Sequence, residues 1–175
     1  MKYFITLLLL THSLAQAQTA WKPAKASVTF TIRNAGLSVD GSFGGFMGEL
    51  LFDSKAPEKS QITASVDAST IDTGIKLRNN HLRKAEYFDI ANHPRITLKS
   101  AKLARQTGNT YEGTFALTLK GTTRTVTVPF TMVESGNAAT FSGQFTINRL
   151  DYKVGGKSLL MSNDVTISLT VQATR

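Results

Sequence analysis

The chain contains no cysteine and only three histidines, and these two gaps remove several classes of chemistry. Without cysteine there is no disulfide, no thiol nucleophile and no thiolate ligand for a metal. Only His81 and His93 follow the N-terminal segment. No His-x-x-x-His pair, acidic calcium loop, Gly-x-Ser-x-Gly elbow or phosphate-binding glycine loop is present. We therefore expect neither an enzyme nor a resident cofactor or metal ion.

Long apolar runs are also lacking once the N-terminal segment has passed. That segment begins with Lys2, continues through the apolar stretch from Phe4 to Leu10 and reaches the small-residue triplet Ala15-Gln16-Ala17, which is the layout of a secretory signal peptide. Its apolar stretch is far shorter than the ~20 residues of a membrane-spanning helix. We expect cleavage after Ala17, so that residues 1–17 are removed and residues 18–175 form one soluble domain.

Acidic residues are in the minority, and the excess of positive charge is unevenly placed. Without residues 1–17 the chain has 19 basic and 12 acidic side chains, a net charge of +7. Residues 76–105 alone contribute +6. One interpretation is a solvated face that keeps the protein soluble; another is a basic rim that contacts an anionic membrane surface, where each cation contributes roughly 1 kcal/mol. Nucleic acid is not an expected partner outside the cell.

Apolar and polar residues alternate in eight segments, and this period of two predicts β-strands with one buried face. The segments are residues 28–32, 46–52, 62–68, 96–103, 111–119, 126–132, 141–147 and 165–173. Gly121 and Thr122 predict a tight hairpin between the fifth and sixth. Because an open sheet would expose two unpaired edges, we expect an all-β fold, a closed eight-stranded antiparallel lipocalin-like barrel. A β-sandwich is the rival arrangement.

Two further features refine the expected barrel. Four glycines in or beside the second strand favour the sharp coiling of a small barrel over a sandwich, namely Gly41, Gly44, Gly45 and Gly48. The segment from Asp72 to Asn92 predicts a short helical insertion between strands three and four. It carries apolar residues at helical spacing and two candidate N-caps: Leu82, Ala85 and Phe88, preceded by Asp72 and Thr73. We expect this insertion to cover one barrel end.

The faces predicted to point inward are crowded with large apolar side chains. These candidate ligand-binding residues are Phe30, Ile32, Phe46, Leu50, Phe52, Phe115, Leu117, Phe130, Phe141 and Phe145. Ten phenylalanines against one tryptophan would give a lining of rings without polar groups, which suits a hydrocarbon. Small residues on the same faces predict a channel rather than a filled interior: Gly48, Ala64, Ala68, Gly113 and Gly143. An ordinary solid core is the alternative.

Several motifs occur in an order and spacing that resemble a known family. They are Ser27 to Phe30 with Val39 to Phe43, Ser69 to Gly74 followed by Arg78, His81 and Tyr87 to Asp89, His93 to Ser100, Leu117 to Arg124, and Ile147 to Tyr152. Together they resemble the YceI family of lipocalin-like, polyisoprenoid-binding proteins over essentially the whole chain after the signal peptide. In that resemblance Val39 to Phe43 corresponds to a glycine-phenylalanine turn.

The resemblance implies a protein that binds a long apolar lipid such as a polyprenyl chain, a quinone tail or a fatty-acid derivative. It also implies a periplasmic location. Our leading hypothesis is a protein that binds such a lipid or shuttles it. Arg78, His81 and Arg149 are candidate polar ligand-binding residues near a cavity mouth, because they lie in the most distinctive motifs. Two departures from the family pattern concern the polar end: Asn34 stands where a histidine is common, and Lys153 where a glycine is frequent.

Two other functions remain open at the level of the sequence, as does the oligomeric state. One is a non-enzymatic interaction module of the envelope with a solid core, whose basic face binds another protein or an acidic polymer. The other is a hydrolase or isomerase in which His81 acts as general base and Asp89 orients it. The three hypotheses differ in whether the barrel is hollow and in whether His81 meets Asp89.

Overall fold

Nine antiparallel β-strands, one α-helix and three 3₁₀ turns make up residues 19–175, the part of the chain that this computed structural model describes. The expected signal peptide over residues 1–17 lies outside these residues. The strands are β1 (Ala20–Asn34), β2 (Leu37–Phe43), β3 (Met47–Leu51), β4 (Gln61–Asp67), β5 (Arg95–Arg105), β6 (Thr110–Leu119), β7 (Thr122–Ser135), β8 (Ala138–Asn148) and β9 (Met161–Thr174). The helix is α1 (Lys76–Leu82), and the 3₁₀ turns are Pro57–Lys59, Ala68–Thr70 and Arg149–Tyr152. Within the same residues no helix is both long and apolar enough to cross a bilayer.

The strands close on themselves because β1 also pairs with β9. On its other edge β1 pairs with two strands in turn: Trp21 lies opposite Leu50 of β3, and Val28 lies opposite Phe43 of β2. Both pairings keep one register, so β2 and β3 together fill a single position around the barrel. The predicted closed eight-stranded antiparallel barrel is therefore confirmed, with one extra strand. Within residues 19–175 the outer edge of β2 has no partner strand and is bridged to the insertion only between Ser42 and Asp72.

The extra strand overturns one prediction from the sequence. Val39 to Phe43 is not a turn but part of β2, and the turn comes earlier, at Ala35 and Gly36, with φ of 51° and 80°. Such a two-residue turn is most readily recognised by Asn-Gly or Asp-Gly, and this chain has neither there. Gly41 also belongs to the strand, where it leaves room for the ring of Phe30 on the opposite residue of β1.

The insertion between β4 and β5 contains the predicted helix, which is shorter than expected. It ends at Leu82, and the residues after Arg83 form turns in which Ala85 and Phe88 are not helical. The predicted caps are wrong: the N-cap position is Ile75, with no side-chain hydrogen bond. Asp72 instead accepts a hydrogen bond from the backbone N–H of Gly74 at 2.9 Å, because the chain turns there before the helix begins.

The end of the barrel where β1, β6 and β8 begin is filled by an aromatic cluster, consisting of Trp21, Phe52, Tyr111, Phe130 and Phe141. The ring of Phe52 lies at its centre, 5.0 Å from Tyr111, 5.9 Å from Phe130 and 5.6 Å from Phe141 between centroids. All three contacts are edge-to-face, a geometry that stabilises aromatic pairs beyond their buried area. The indole N–H of Trp21 donates to the backbone carbonyl of Phe52 at 3.0 Å.

Glycines on the inward faces of the barrel do not leave the channel that was expected from them. A Cβ at Gly113 would overlap the ring of Phe115, and one at Gly143 would lie 3.2 Å from the Cβ of Phe130. A Cβ at Gly48 would lie 2.9 Å from the ring of Phe46. The prediction of a channel at these three positions is wrong, because each glycine makes room for a neighbouring aromatic side chain. The small residue that does border open space is Ala64.

Candidate functional site

An apolar cavity of about 180 Å³ occupies the opposite half of the barrel, where β1 ends and β9 begins. Its walls come mainly from inward-facing residues of β1, β4, β5 and β9, which are Val28, Phe30, Ile32, Ala64, Val66, Ile96, Leu98, Val165, Ile167 and Leu169. Alternation along each strand places these side chains on one face. The pairing of β1 with β9 then sets them opposite one another, as with Phe30 and Ile167. One half of the barrel is thus solid and the other is hollow.

The insertion covers the hollow end and contributes to its lining through Thr73, Arg78, Leu82, Tyr87 and Phe88. A line of rings connects wall and cover: the centroids of Phe30 and Phe43 are 5.5 Å apart, and those of Phe43 and Phe88 are 5.4 Å apart. The rings of Phe43 and Phe88 pack edge to face, with an angle of 70° between their planes. The cover is therefore packed against the barrel through side chains that also line the cavity.

Hydrogen bonds tie the cover to the neighbouring loop that precedes β9. The backbone N–H of Gly155 donates to the carbonyl of Glu86 at 3.0 Å. The ammonium group of Lys120 donates to the same carbonyl at 2.9 Å and to the carbonyl of Lys153 at 2.7 Å. Lys153 has φ of 57°, a left-handed conformation that glycine adopts at lower cost. Lys153 therefore contributes its backbone to the cover, while its side chain is exposed.

Arg149 provides a buried positive charge at the cavity wall, with only 3% of its surface exposed. Its guanidinium donates to the carbonyls of Ser162 and Val154, both at 2.9 Å, and to the side-chain oxygen of Asn163 at 3.3 Å. Within residues 19–175 it forms no salt bridge. Burial lowers the pKa of Arg149, since a low dielectric disfavours the charged form. Three of the five N–H donors of a guanidinium are occupied, which leaves two for another acceptor.

Arg78 and Asn34 are the other hydrogen-bonding groups of note on the lining. Arg78 is held by Thr73: its Nε donates to the Thr73 hydroxyl at 2.7 Å and its Nη2 to the Thr73 carbonyl at 2.6 Å. The hydroxyl of Thr73 in turn donates to Asn79 at 2.6 Å. Asn34 is the last residue of β1, at the hollow end of the barrel. Hydrogen-bond donors are thus present on a lining that is mainly apolar.

The structure divides the predicted ligand-binding residues into two groups. Seven line the cavity: Phe30, Ile32, Phe46, Arg78, Leu117, Phe145 and Arg149. Five others are buried in the packed core away from the cavity lining: Leu50, Phe52, Phe115, Phe130 and Phe141. His81 does not line the cavity either, because its exposed ring lies 4.8 Å from the ring of Tyr87, on the outer surface of the cover. Binding by the seven cavity residues stays a prediction.

The geometry does not assemble the hypothetical general base. Asp89 accepts hydrogen bonds from Asn92 and lies 3.8 Å from the Nε2 of His93, rather than beside His81. Residues 19–175 also contain no group of three or more histidine and carboxylate side chains arranged to hold a metal ion. The hypothesis that Asp89 orients His81 as a general base is therefore wrong.

Many lining residues were not among the sequence candidates. They include Val39, Phe43, Leu119, Ile147 and Met161, besides the aromatic pair Tyr87 and Phe88 of the insertion. Leu119 and Ile147 continue the alternation of Leu117 and Phe145, so period-two counting could have found them. Tyr87 and Phe88 follow the end of α1 in irregular turns, where no period applies.

The basic segment of residues 76–105 does not form one rim. Its last part follows β5 away from the hollow end, so Lys102 and Arg105 lie toward the aromatic cluster. Arginines within it also bind backbone: Arg83 donates to the carbonyl of Ser69 at 2.8 Å, and Arg95 donates to the carbonyl of Gly45 at 3.0 Å. These side chains connect strands and loops of the barrel. The positive charge of residues 76–105 is therefore spread along the side of the barrel.

Comparison with known proteins places the barrel in a family. The chain is 29% identical over 157 residues to a UPF0312 protein of Pectobacterium atrosepticum. This match covers 86% of this chain and 81% of the relative. The crystal structure of Burkholderia cenocepacia BcnA is also 29% identical, with a TM-score of 0.83 over 86% of this chain and 98% of that chain.

A second solved structure shares the fold at lower identity. It is a domain of Saccharophagus degradans described as polyisoprenoid-binding and implicated in plant cell wall breakdown, with a TM-score of 0.72 and 14% identity over 89% of this chain and 97% of that chain. The profile of the YceI-like domain family matches residues 20–173, nearly all of the barrel. The chain therefore belongs to the YceI-like domain family, in agreement with the resemblance of its motifs.

Proposed function

We propose that the protein binds one elongated apolar lipid in the hollow half of the barrel and carries it between sites in the cell envelope, without chemical change. The observation that carries this proposal is the apolar cavity of about 180 Å³, enclosed by strands on its sides and by the insertion at its end. An apolar space of this kind favours a ligand that consists mostly of hydrocarbon.

The energetics suit a long-chain ligand. Each methylene group that leaves water contributes about 0.8 kcal/mol, so ten buried groups contribute about 8 kcal/mol. That energy corresponds to a Kd of about 1 μM before the cost of association is subtracted. Selectivity would then depend on the length and width of the tail rather than on polar recognition.

A polar head would lie at the guanidinium-bearing part of the lining. Arg149 has two N–H donors to spare, and Arg78 is oriented by Thr73 at another part of the wall. Both are donors without acceptor capacity, so they favour a head with acceptor oxygens, such as a quinone, a hydroxyl or a phosphate. Asn34 replaces the histidine that is common in the family and provides a neutral amide there.

The family relationship supports an apolar ligand, since a solved neighbour of the same fold is described as polyisoprenoid-binding. A location in the periplasm rests on the proposed signal peptide, with its small-residue site ending at Ala17. A shuttling protein must reach a lipid layer, and we propose peripheral contact with an anionic membrane surface for this step.

Native mass spectrometry of the protein from its own host tests the proposal. The full chain is expressed with its N-terminal segment, and the mature protein is weighed before and after organic extraction. In the periplasmic fraction we expect a protein whose mass is that of a chain beginning at Gln18. We also expect a second species that is heavier by the mass of one isoprenoid or fatty-chain lipid. Protein that is repeatedly free of lipid would contradict binding, and an intact N-terminus in the cytoplasm would contradict export.

A further inference from the structure

Large apolar side chains are exposed mainly at the hollow end of the barrel. Residues 19–175 contain seven such side chains, and five of them lie at this end: Leu37, Ile75, Leu77, Leu159 and Leu160. The other two are Met47 in β3 and Val133 near the end of β7. Single exposed apolar residues are ordinary on any surface, whereas a group of them marks a contact surface.

Three of the five form one projection, which we call the leucine tip: Leu37, Leu159 and Leu160. Their exposed fractions are 72%, 105% and 67%. The turn between β1 and β2 and the loop before β9 are joined where the N–H of Ala35 donates to the carbonyl of Leu160 at 2.8 Å. Asn34 pairs with Leu37 on one side and with Met161 on the other. The leucine tip is thus held in place by the barrel itself.

The leucine tip lies directly beside the cavity. Asn34 and Met161, the neighbours that hold it, both line the cavity, while the three leucines do not. An apolar ligand that left between these two residues would pass the leucines before it met water. The surface is therefore continuous with the proposed path of the ligand.

Exposed cations accompany the apolar residues. Arg33 directly precedes Asn34, and Lys157 lies two residues before Leu159. At the start of α1, Lys76 stands between Ile75 and Leu77, and all three are exposed. Two nearby acids are present as well: Asp164 in β9, and Asp40, which accepts a hydrogen bond from the Thr31 hydroxyl at 2.6 Å. Apolar groups beside cations are the composition of surfaces that enter the interface of an anionic membrane.

We propose that the leucine tip docks the hollow end of the barrel on an anionic lipid bilayer, so that the ligand passes between membrane and cavity without crossing water. The proposal rests on the proposed function for its purpose, although docking itself can be measured without any bound lipid. Leu37, Leu159 and Leu160 enter the headgroup region, and Arg33 and Lys157 stay at the level of the phosphates.

Sedimentation with vesicles tests the docking. Delipidated protein is mixed with vesicles of phosphatidylcholine alone or with 30% phosphatidylglycerol, and the bound fraction is measured at low and at high salt. We expect binding to the anionic vesicles that weakens with salt. The variant L37S/L159S/L160S should bind at least about tenfold more weakly, because apolar area is lost from the interface. The matched control M47S/V133S, which removes the two exposed apolar residues elsewhere, should bind as wild type does.

Charge and self-association are examined with the same preparation. Lys157→Gln should weaken binding to anionic vesicles by roughly fivefold and leave binding to neutral vesicles unchanged. Wild-type protein that does not sediment with anionic vesicles, or a serine variant that sediments equally well, would overturn the proposal. So would a dimer, detected by light scattering, that the serine substitutions dissociate, since the leucines would then bind a second copy. Vesicle binding by protein that never carries lipid would support docking and contradict the proposed function.

Discussion

Adding bulk at Ala64 should fill part of the cavity and displace ligand without disturbing the fold. Ala64 lies on β4, opposite Gly48 of β3 and Leu98 of β5, and it borders the cavity. Leucine at this position adds three carbon atoms to a space of about 180 Å³. If each carbon displaces one methylene group of a bound tail, the loss is about 2.4 kcal/mol, or roughly 50-fold in Kd.

Gly143→Leu is the matched control in the solid half. A Cβ there would lie 3.2 Å from the carbonyl oxygen of Pro129 and 3.3 Å from Val128, so the larger side chain has no space to enter. Such overpacking costs about 1 to 3 kcal/mol. For a domain of this size the melting temperature should fall by roughly 2 to 12 °C. Lipid affinity should change little, because Gly143 does not line the cavity.

The assay compares both variants with wild type after delipidation. Affinity is measured by titration with the fluorescent fatty acid cis-parinaric acid, and stability by calorimetry of the ligand-free protein. Ala64→Leu should weaken binding while the melting temperature stays within about 2 °C of wild type. If Ala64→Leu instead lowered the melting temperature as much as Gly143→Leu and left affinity unchanged, the space beside Ala64 would be ordinary core and the cavity would have no role.

Two further predictions concern buried polar groups. Arg149→Met should lower the free energy of unfolding by at least about 2 kcal/mol in urea titrations, because the carbonyls of Ser162 and Val154 lose a charged donor; unchanged stability would show that these bonds contribute nothing. Tyr152→Phe should cost little at neutral pH, since its hydroxyl has no partner within residues 19–175. Burial raises the pKa of Tyr152, so its proton favours the folded state until the pH rises through that raised value, and stability is lost as it does. Wild type should therefore lose more stability than Tyr152→Phe between about pH 9 and about pH 11. Melting temperatures that fall equally with pH in the two proteins would contradict this.

The strands were predictable from the sequence because each buries one face against the same interior. Tyr111 to Leu119 alternates without interruption, and it forms β6 with Tyr111, Phe115, Leu117 and Leu119 all buried. β2 escaped prediction because its alternation is weak: Leu37 is exposed, and Gly41 has no side chain with which to face the interior. The turn before it places Ala35 at φ of 51°, a conformation for which alanine gives no signal.

The division of the barrel into solid and hollow halves could not be predicted in the same way. Alternation shows which face of a strand points inward, but not the height of a residue along the barrel axis. Phe30 and Phe130 both follow inward positions of their strands. Pairing places Phe30 opposite Gly41 and Ile167, beside the cavity, and Phe130 opposite Tyr111 and Gly143, in the aromatic cluster. The register of strands that are distant in sequence decides the difference, and it depends on turns and bulges.

This division separates the aromatic cluster, which packs one end of the barrel, from the residues that line the cavity at the other. Phe52 contacts three aromatic rings, is 1% exposed and does not line the cavity. At the hollow end, the lining residues border open space and make fewer packing contacts. The barrel is still held together there by the pairing of its strands and at the other end by the aromatic cluster. A larger side chain at Ala64, which borders open space, should therefore narrow the cavity at little cost in stability. The shape of the cavity can then vary while the fold stays the same.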